Sequence, residues 1–154
     1  MASLAYNRGV KELLNATTDY LTATMKVALL STATAYTPDQ DHDFMDAGGA
    51  NDPTDAELNV TGYTRGFGGA GRKTMASKTV TENDTNNRVE FDCADITWTA
   101  LGSGQTIAQA VVIKEVTNDA ATVLYGLLDP TDTPTNGSDI TLQVASNGWL
   151  NWTT

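Results

Sequence analysis

Apolar and polar positions alternate in step over several short stretches of this chain, most clearly between Thr74 and Trp152. Val89, Phe91 and Cys93 are separated by charged residues, and Ile140, Leu142 and Val144 by polar ones. A period of two makes one face of a segment dry and the other wet, the pattern of a half-buried strand. The alternation predicts strands over Thr22–Leu30, Arg72–Thr81, Arg88–Thr99, Ile107–Val116, Thr122–Leu128, Asp139–Ala145 and Gly148–Thr153. In the first, Met25, Val27 and Leu29 share one face while Ala28 and Leu30 occupy the other, so burial on both sides is expected near its end. In Arg88–Thr99 the apolar parity switches from odd at Phe91 to even at Ile96. A bulge near Ala94-Asp95 would return both halves to one core face. Asp84–Asn87 and Thr117–Asp119 supply turn residues tolerant of left-handed backbone, and Asn147-Gly148 is a two-residue hairpin signal. Seven or eight short strands so linked predict a mainly β fold, an antiparallel β-sandwich forming one domain over residues 1–154.

The remaining segments break the alternation. Tyr6, Val10, Leu13 and Leu14 recur at helical spacing, predicting a short N-terminal helix within an arm over residues 1–15. Asn7 or Ser3 would cap its start and Asn15 its end. Two turns of helix need a docking surface, either the protein's own sheet or a neighbouring chain. From Ser31 to Asn59 the chain is polar and rich in Gly and Asp, with Pro38 and Pro53 as breakers, which predicts a long irregular loop. Phe44 and Met45 would anchor a helical turn within it. A second Gly-rich stretch spans Gly62–Gly71.

Charge narrows the partners. Nineteen acids against nine bases leave a net charge of −10 over 154 residues, which disfavours nucleic acid and anionic membranes and favours a partner with basic patches. No stretch approaches the roughly 20 apolar residues of a membrane-spanning helix, and the N-terminus carries no apolar export signal. Threonine is unusually frequent, 25 residues, and suits the outer faces of pleated strands. Five Asn-x-Ser/Thr triplets follow from that composition, and without an export signal they are not expected to be glycosylated. The single cysteine, Cys93, excludes an intrachain disulfide and reads as an apolar strand residue.

Four constellations could carry chemistry. Gly66-Phe67-Gly68-Gly69-Ala70-Gly71 matches G-x-G-x-x-G, but a dinucleotide site needs a helix after it, and Lys73–Glu82 alternates like a strand. The ordinary alternative is a flexible loop exposing Arg65, Arg72 and Lys73 to an acidic partner. Asp39-Gln40-Asp41-His42-Asp43 clusters carboxylates as calcium requires, yet Phe44 and Ala50 stand where an EF-hand needs its Gly and Glu. His42 is the only histidine, and a nucleophilic triad would have to use it. Trp149 is out of phase with Leu150 and Trp152, so one set should face outward, and an outward Trp149 would make an interface anchor. Trp98, in phase with Ile96, reads as core. No catalytic, cofactor or metal residue is assigned.

A resemblance extends over nearly the whole chain. The helix Tyr6–Leu14 is followed by Met25–Leu30, Tyr36-Thr37-Pro38-Asp39, Thr61–Thr64, Asn87–Asp92, Asp95–Thr99, Ala110–Glu115 and Leu124-Tyr125-Gly126. This order resembles a family of small structural proteins of tailed bacteriophages. The resemblance implies a virion protein made in the host cytoplasm: a capsid decoration or cement protein on the outer surface of the head. It would stabilise junctions of the major capsid protein, its partner, as a homo-oligomer, with a trimer expected by analogy. The alternative is a tail or head-fibre component that binds a host surface. No enzymatic activity, nucleic acid, membrane or cofactor is expected. The contact residues expected are Leu4, Tyr6, Arg8, Val10 and Leu14 of the arm, Arg65, Arg72 and Lys73 of the Gly-rich loop, and Trp149. The segment Asp41–Glu57 and the Gly66–Gly71 loop depart from the family pattern.

Overall fold

A computed structural model describes residues 2–153, with side chains over 4–151. In chain order the elements are β1 (Ala2–Ala5), α1 (Asn7–Leu14), β2 (Lys26–Ser31), α2 (Pro53–Ala56), β3 (Lys73–Thr74), β4 (Thr79–Asn83) and β5 (Arg88–Asp92). They continue with β6 (Ile96–Trp98), β7 (Thr106–Lys114), β8 (Val123–Asp129), β9 (Thr133–Pro134), β10 (Ile140–Leu142) and β11 (Leu150–Thr153). The protein is mainly β, every pairing is antiparallel, and the helix α1 stands near the N-terminus. The strands outnumber those expected because several are only two to four residues long.

The large sheet runs β1-β8-β7-β2-β3, with β9 beside the start of β7. It is buried on both faces. Val27, Leu29, Ala110, Val112 and Tyr125 point into one core, whereas Ala28, Leu30, Val111, Ile113 and Leu124 point into another. The near-continuous apolar run of β7 and β8 follows from that double burial. Two smaller sheets, β10-β6 and β11-β5-β4, cover the first face and contribute Ile96, Trp98, Leu142, Trp149 and Leu150.

The second face is covered by the long irregular segment. Tyr36, Met45 and Ala56 are buried there with Tyr6. Bridges Leu30–Glu57 and Phe44–Val123 bind the segment to β2 and β8. Phe44 therefore makes a bridge and Met45 donates its amide to the Thr122 carbonyl at 2.9 Å, in place of the expected helical turn, and the one short helix of the segment is α2, led by Pro53 at its first turn. The length of this loop is spent on covering a sheet face.

Other expectations are corrected in the same way. The strand expected over Arg72–Thr81 divides into β3 and β4, parted at Ser77, whose φ is +50°. The parity switch in Arg88–Thr99 marks a change of sheet: β5 pairs β4 and β11, while β6 pairs β10. Cys93, Ile96 and Trp98 nonetheless share the first core, as the parity argument requires. Asn147-Gly148 does turn the chain, with the Gly148 amide on the Ala145 carbonyl at 2.7 Å. It joins two different sheets, so no hairpin forms there. Tyr6 occupies the N-cap of α1 with no side-chain cap, and Asn15 ends the helix as expected.

Candidate functional site

The densest polar constellation forms where the Gly-rich loop meets the β7–β8 end of the large sheet. Arg72 leads into β3, and its guanidinium is fully buried. Its Nε and Nη2 donate to Glu57 Oε1 and Oε2 at 2.9 and 2.7 Å, a two-pronged pair. Its Nη1 donates to Glu115 Oε1 at 3.1 Å and to Asp119 Oδ1 at 2.6 Å. Lys26 of β2 closes on the other oxygen of Glu115. Tyr63 donates to Glu57 at 3.2 Å and accepts the Leu29 amide at 3.0 Å. Burial alone would lower the Arg72 pKa, but its bonds to Glu57 and Asp119 outweigh burial and hold it above its ordinary value. Burial likewise pushes Glu115 up, and the bonds from Lys26, the Gly68 amide and Arg72 reverse the sign and hold it below the carboxylate range.

The glycine loop takes part in this cluster. The amides of Gly66, Phe67 and Gly68 donate to Glu57, Asp119 and Glu115 at 3.1, 3.2 and 3.1 Å. Successive amides converging on anions make the cradle that a phosphate loop uses, and here the protein's own carboxylates fill it. No helix follows; β3 does. The loop is thus pinned to the scaffold instead of being flexible, and Arg72 cannot reach an acidic partner. Of its companions, Arg65 is exposed and Lys73 half-buried.

Beside the exposed Arg65, the pinned region presents two apolar side chains outward. Phe67 is 44 % exposed and Val116 54 %, and they belong to the two segments that the ion cluster joins. Sequence reasoning missed both residues: Phe67 lies in the glycine-rich loop, where no period marks a face, and Val116 closes the expected strand Ile107–Val116 but lies beyond the end of β7 at Lys114.

The N-terminal arm is not free to dock on a neighbour. β1 pairs with β8 along its whole length, Ala5 opposite Gly126. Tyr6 is fully buried and Leu4 packs against the same core. Within α1 the buried residue is Gly9, which lets the helix lie directly on β8: a Cβ there would stand 2.5 Å from the Leu124 carbonyl oxygen. Val10 is half-buried, and Arg8 is held by Glu12 and Asp43 with its guanidinium 4.5 Å over the Phe44 ring. Of the expected arm contacts only Leu14, at 70 % exposure, faces fully outward. Leu21, in the turn that follows, is the other exposed leucine of this region.

Trp149 is also corrected. It is buried against Gly126, and its indole N–H donates to Tyr20 Oη at 2.9 Å. Leu150 is buried beside it, since the chain enters β11 with both residues opposite Phe91 and the simple alternation is lost. The Trp152 side chain lies outside the described residues.

His42 joins a chain of rings. Its Nδ1 lies 2.8 Å from Tyr36 Oη, which lies 2.9 Å from Tyr6 Oη. Burial pushes Tyr36 up to about 12, and Tyr6 higher still. The neighbouring carboxylates are engaged locally: Asp39 accepts the Asp41 amide, Asp41 accepts Asn7 Nδ2 at 2.7 Å, and Asp43 faces Arg8. Among the described residues no group of three His, Cys, Asp or Glu side chains is placed to hold a metal ion. Burial and the nearby Asp92 and Asp95 push the Cys93 thiol up to about 11, away from thiolate reactivity.

No protein-family model matches this chain, and neither a curated protein nor a solved structure matches it.

Proposed function

We propose that this protein is a structural component of a tailed-phage particle, a decoration protein that binds the outer head surface and stabilises contacts between major capsid subunits. The observation that carries the proposal is the pair of exposed apolar side chains, Phe67 and Val116, on segments locked to the scaffold by the Arg72 cluster. Exposed apolar side chains on segments already fixed to the scaffold lose little conformational freedom on docking, which favours affinity at a small contact. The net charge of −10 fits a partner whose contact face carries basic residues. Added contacts that exist only in the assembled shell shift its stability by mass action. The polypeptide performs no bond-making in this reading.

The test uses purified heads stripped of this protein. The double variant Phe67→Ser with Val116→Ser should keep its fold by circular dichroism and lose at least tenfold in head binding. Retention equal to wild type would remove these two side chains as the contact. Densitometry of whole virions against the major capsid protein separates the head-surface role, with hundreds of copies, from a fibre, with tens.

A further inference from the structure

The outer edge of β4 has the geometry of a self-pairing strand. In the sheet β11-β5-β4 it is the terminal strand, and Thr79 to Glu82 are exposed. The Phe91 carbonyl accepts the Trp149 amide at 2.9 Å, so the polar backbone of Phe91 faces β11. Val80, directly opposite Phe91, is then a non-hydrogen-bonded pair in the β4–β5 ladder. The N–H and C=O of Val80, and of Glu82 two residues on, therefore point away from the molecule.

Usual protections of a free edge are missing here. β4 contains no proline, its register with β5 is continuous, and Glu82 is its only charge. The sequence around it is complementary to itself when run antiparallel about Val80. In that register Val80 meets Val80, Thr79 meets Thr81, and Lys78 meets Glu82 twice. The residues whose backbone groups point outward are the ones that such a register would hydrogen-bond. Lys78, Val80 and Glu82 also share the face of the sheet that carries Phe91. The Lys78 ammonium already lies on that face, donating to the Ala23 carbonyl and standing 5.5 Å over the Tyr20 ring.

We propose that two copies of this protein associate through antiparallel β4–β4 pairing centred on Val80, joining two three-stranded sheets into one of six strands. The occupant is a second copy because the charge pattern of this edge matches its own reverse; a foreign strand has no such constraint. The contact is twofold and isologous, unlike the trimer expected by analogy. It stands independently of the proposed role on a phage head. One strand edge is a small interface, so the dimer forms at high local concentration, as on a surface that gathers many copies.

Sedimentation velocity over a series from micromolar to millimolar should show a monomer–dimer equilibrium. Val80→Pro removes one outward N–H and leaves the β4–β5 bonds intact, and it should abolish the dimer. Glu82→Lys sets like charges opposite each other at two symmetric positions and should weaken association about tenfold. A third variant does not depend on those two folding. Val80→Cys places two thiols on Cα atoms about 5.5 Å apart across the axis, within disulfide reach, and should cross-link on oxidation. Glu82→Cys, four residues out of register with its symmetry mate, should not. A monomer throughout the series, a trimer, a dimer indifferent to Val80→Pro, or cross-linking at position 82 and not 80 would each overturn the proposal.

Discussion

Arg72 shows how one side chain can decide the shape of a loop. Its guanidinium, Glu57, Glu115, Asp119 and the three loop amides satisfy one another in a site largely closed to water. Removing one member leaves buried charge without compensation, the costly half of the salt-bridge asymmetry. Arg72→Met should therefore destabilise the fold by about 3–5 kcal/mol in urea titrations. Arg72→Lys should recover only part, because a single ammonium cannot span both oxygens of Glu57. The same cluster sets an acid limit. Glu115 titrates lower in the folded protein than in the unfolded chain, so the stability it contributes is complete above the ordinary carboxylate pKa of about 4.3 and is lost as pH falls through the folded value. Replacing it by Gln should flatten that acid-side loss, read as the pH dependence of the urea midpoint.

At the scale of elements, α1 illustrates tertiary contact overriding propensity. Ala in place of a mid-helix Gly ordinarily stabilises by about 1 kcal/mol. At Gly9 a Cβ would lie 2.5 Å from the Leu124 oxygen and 2.6 Å from Tyr125 Cα, both backbone atoms that cannot rotate away. Gly9→Ala should instead lower stability by about 1–3 kcal/mol, seen as a lower thermal midpoint with α1 lifted from β8. The stripe Tyr6, Val10, Leu13 and Leu14 correctly indicated a helix, but its anchors are Tyr6 and the glycine between the apolar positions. Periodicity counts side chains, and a close approach made by the lack of one leaves no apolar signal. The Gly-rich loop was legible only as a loop. Its partners Glu57, Glu115 and Asp119 lie 15, 43 and 47 residues from Arg72, and no local pattern reports such distances.

At the scale of the molecule, the arm, the long loop and the two small sheets all close over one large sheet. The arm is therefore part of the scaffold. Removing residues 1–15 would strip the edge strand from β8, uncover the core around Tyr6 and delete Glu12, whose carboxylate receives Tyr125 Oη at 2.7 Å and Thr18 Oγ1 at 3.2 Å. The truncated chain should lose its cooperative thermal transition; a shortened protein that melts like wild type would show that the arm is dispensable. The long segment over residues 31–59 contributes in the same way, through Tyr36, Met45 and Ala56. Its polar composition disguised that role because a few well-spaced apolar residues suffice to cover a sheet face while the rest meet water.

Alternation and turn chemistry, both local properties, were enough to specify an antiparallel, mainly β chain: β5, β6, β10 and β11 fall within the expected segments, β7 and β8 overrun theirs by one residue each, and the helix ends at Asn15 as its cap residue suggests. Which strand joins which sheet, which face of β2 meets the long loop, and whether Arg72 and Trp149 face water or core were settled only by the folded arrangement. Those outcomes depend on contacts between residues far apart in the chain, where one shifted register or one glycine reverses what is inside and what is out.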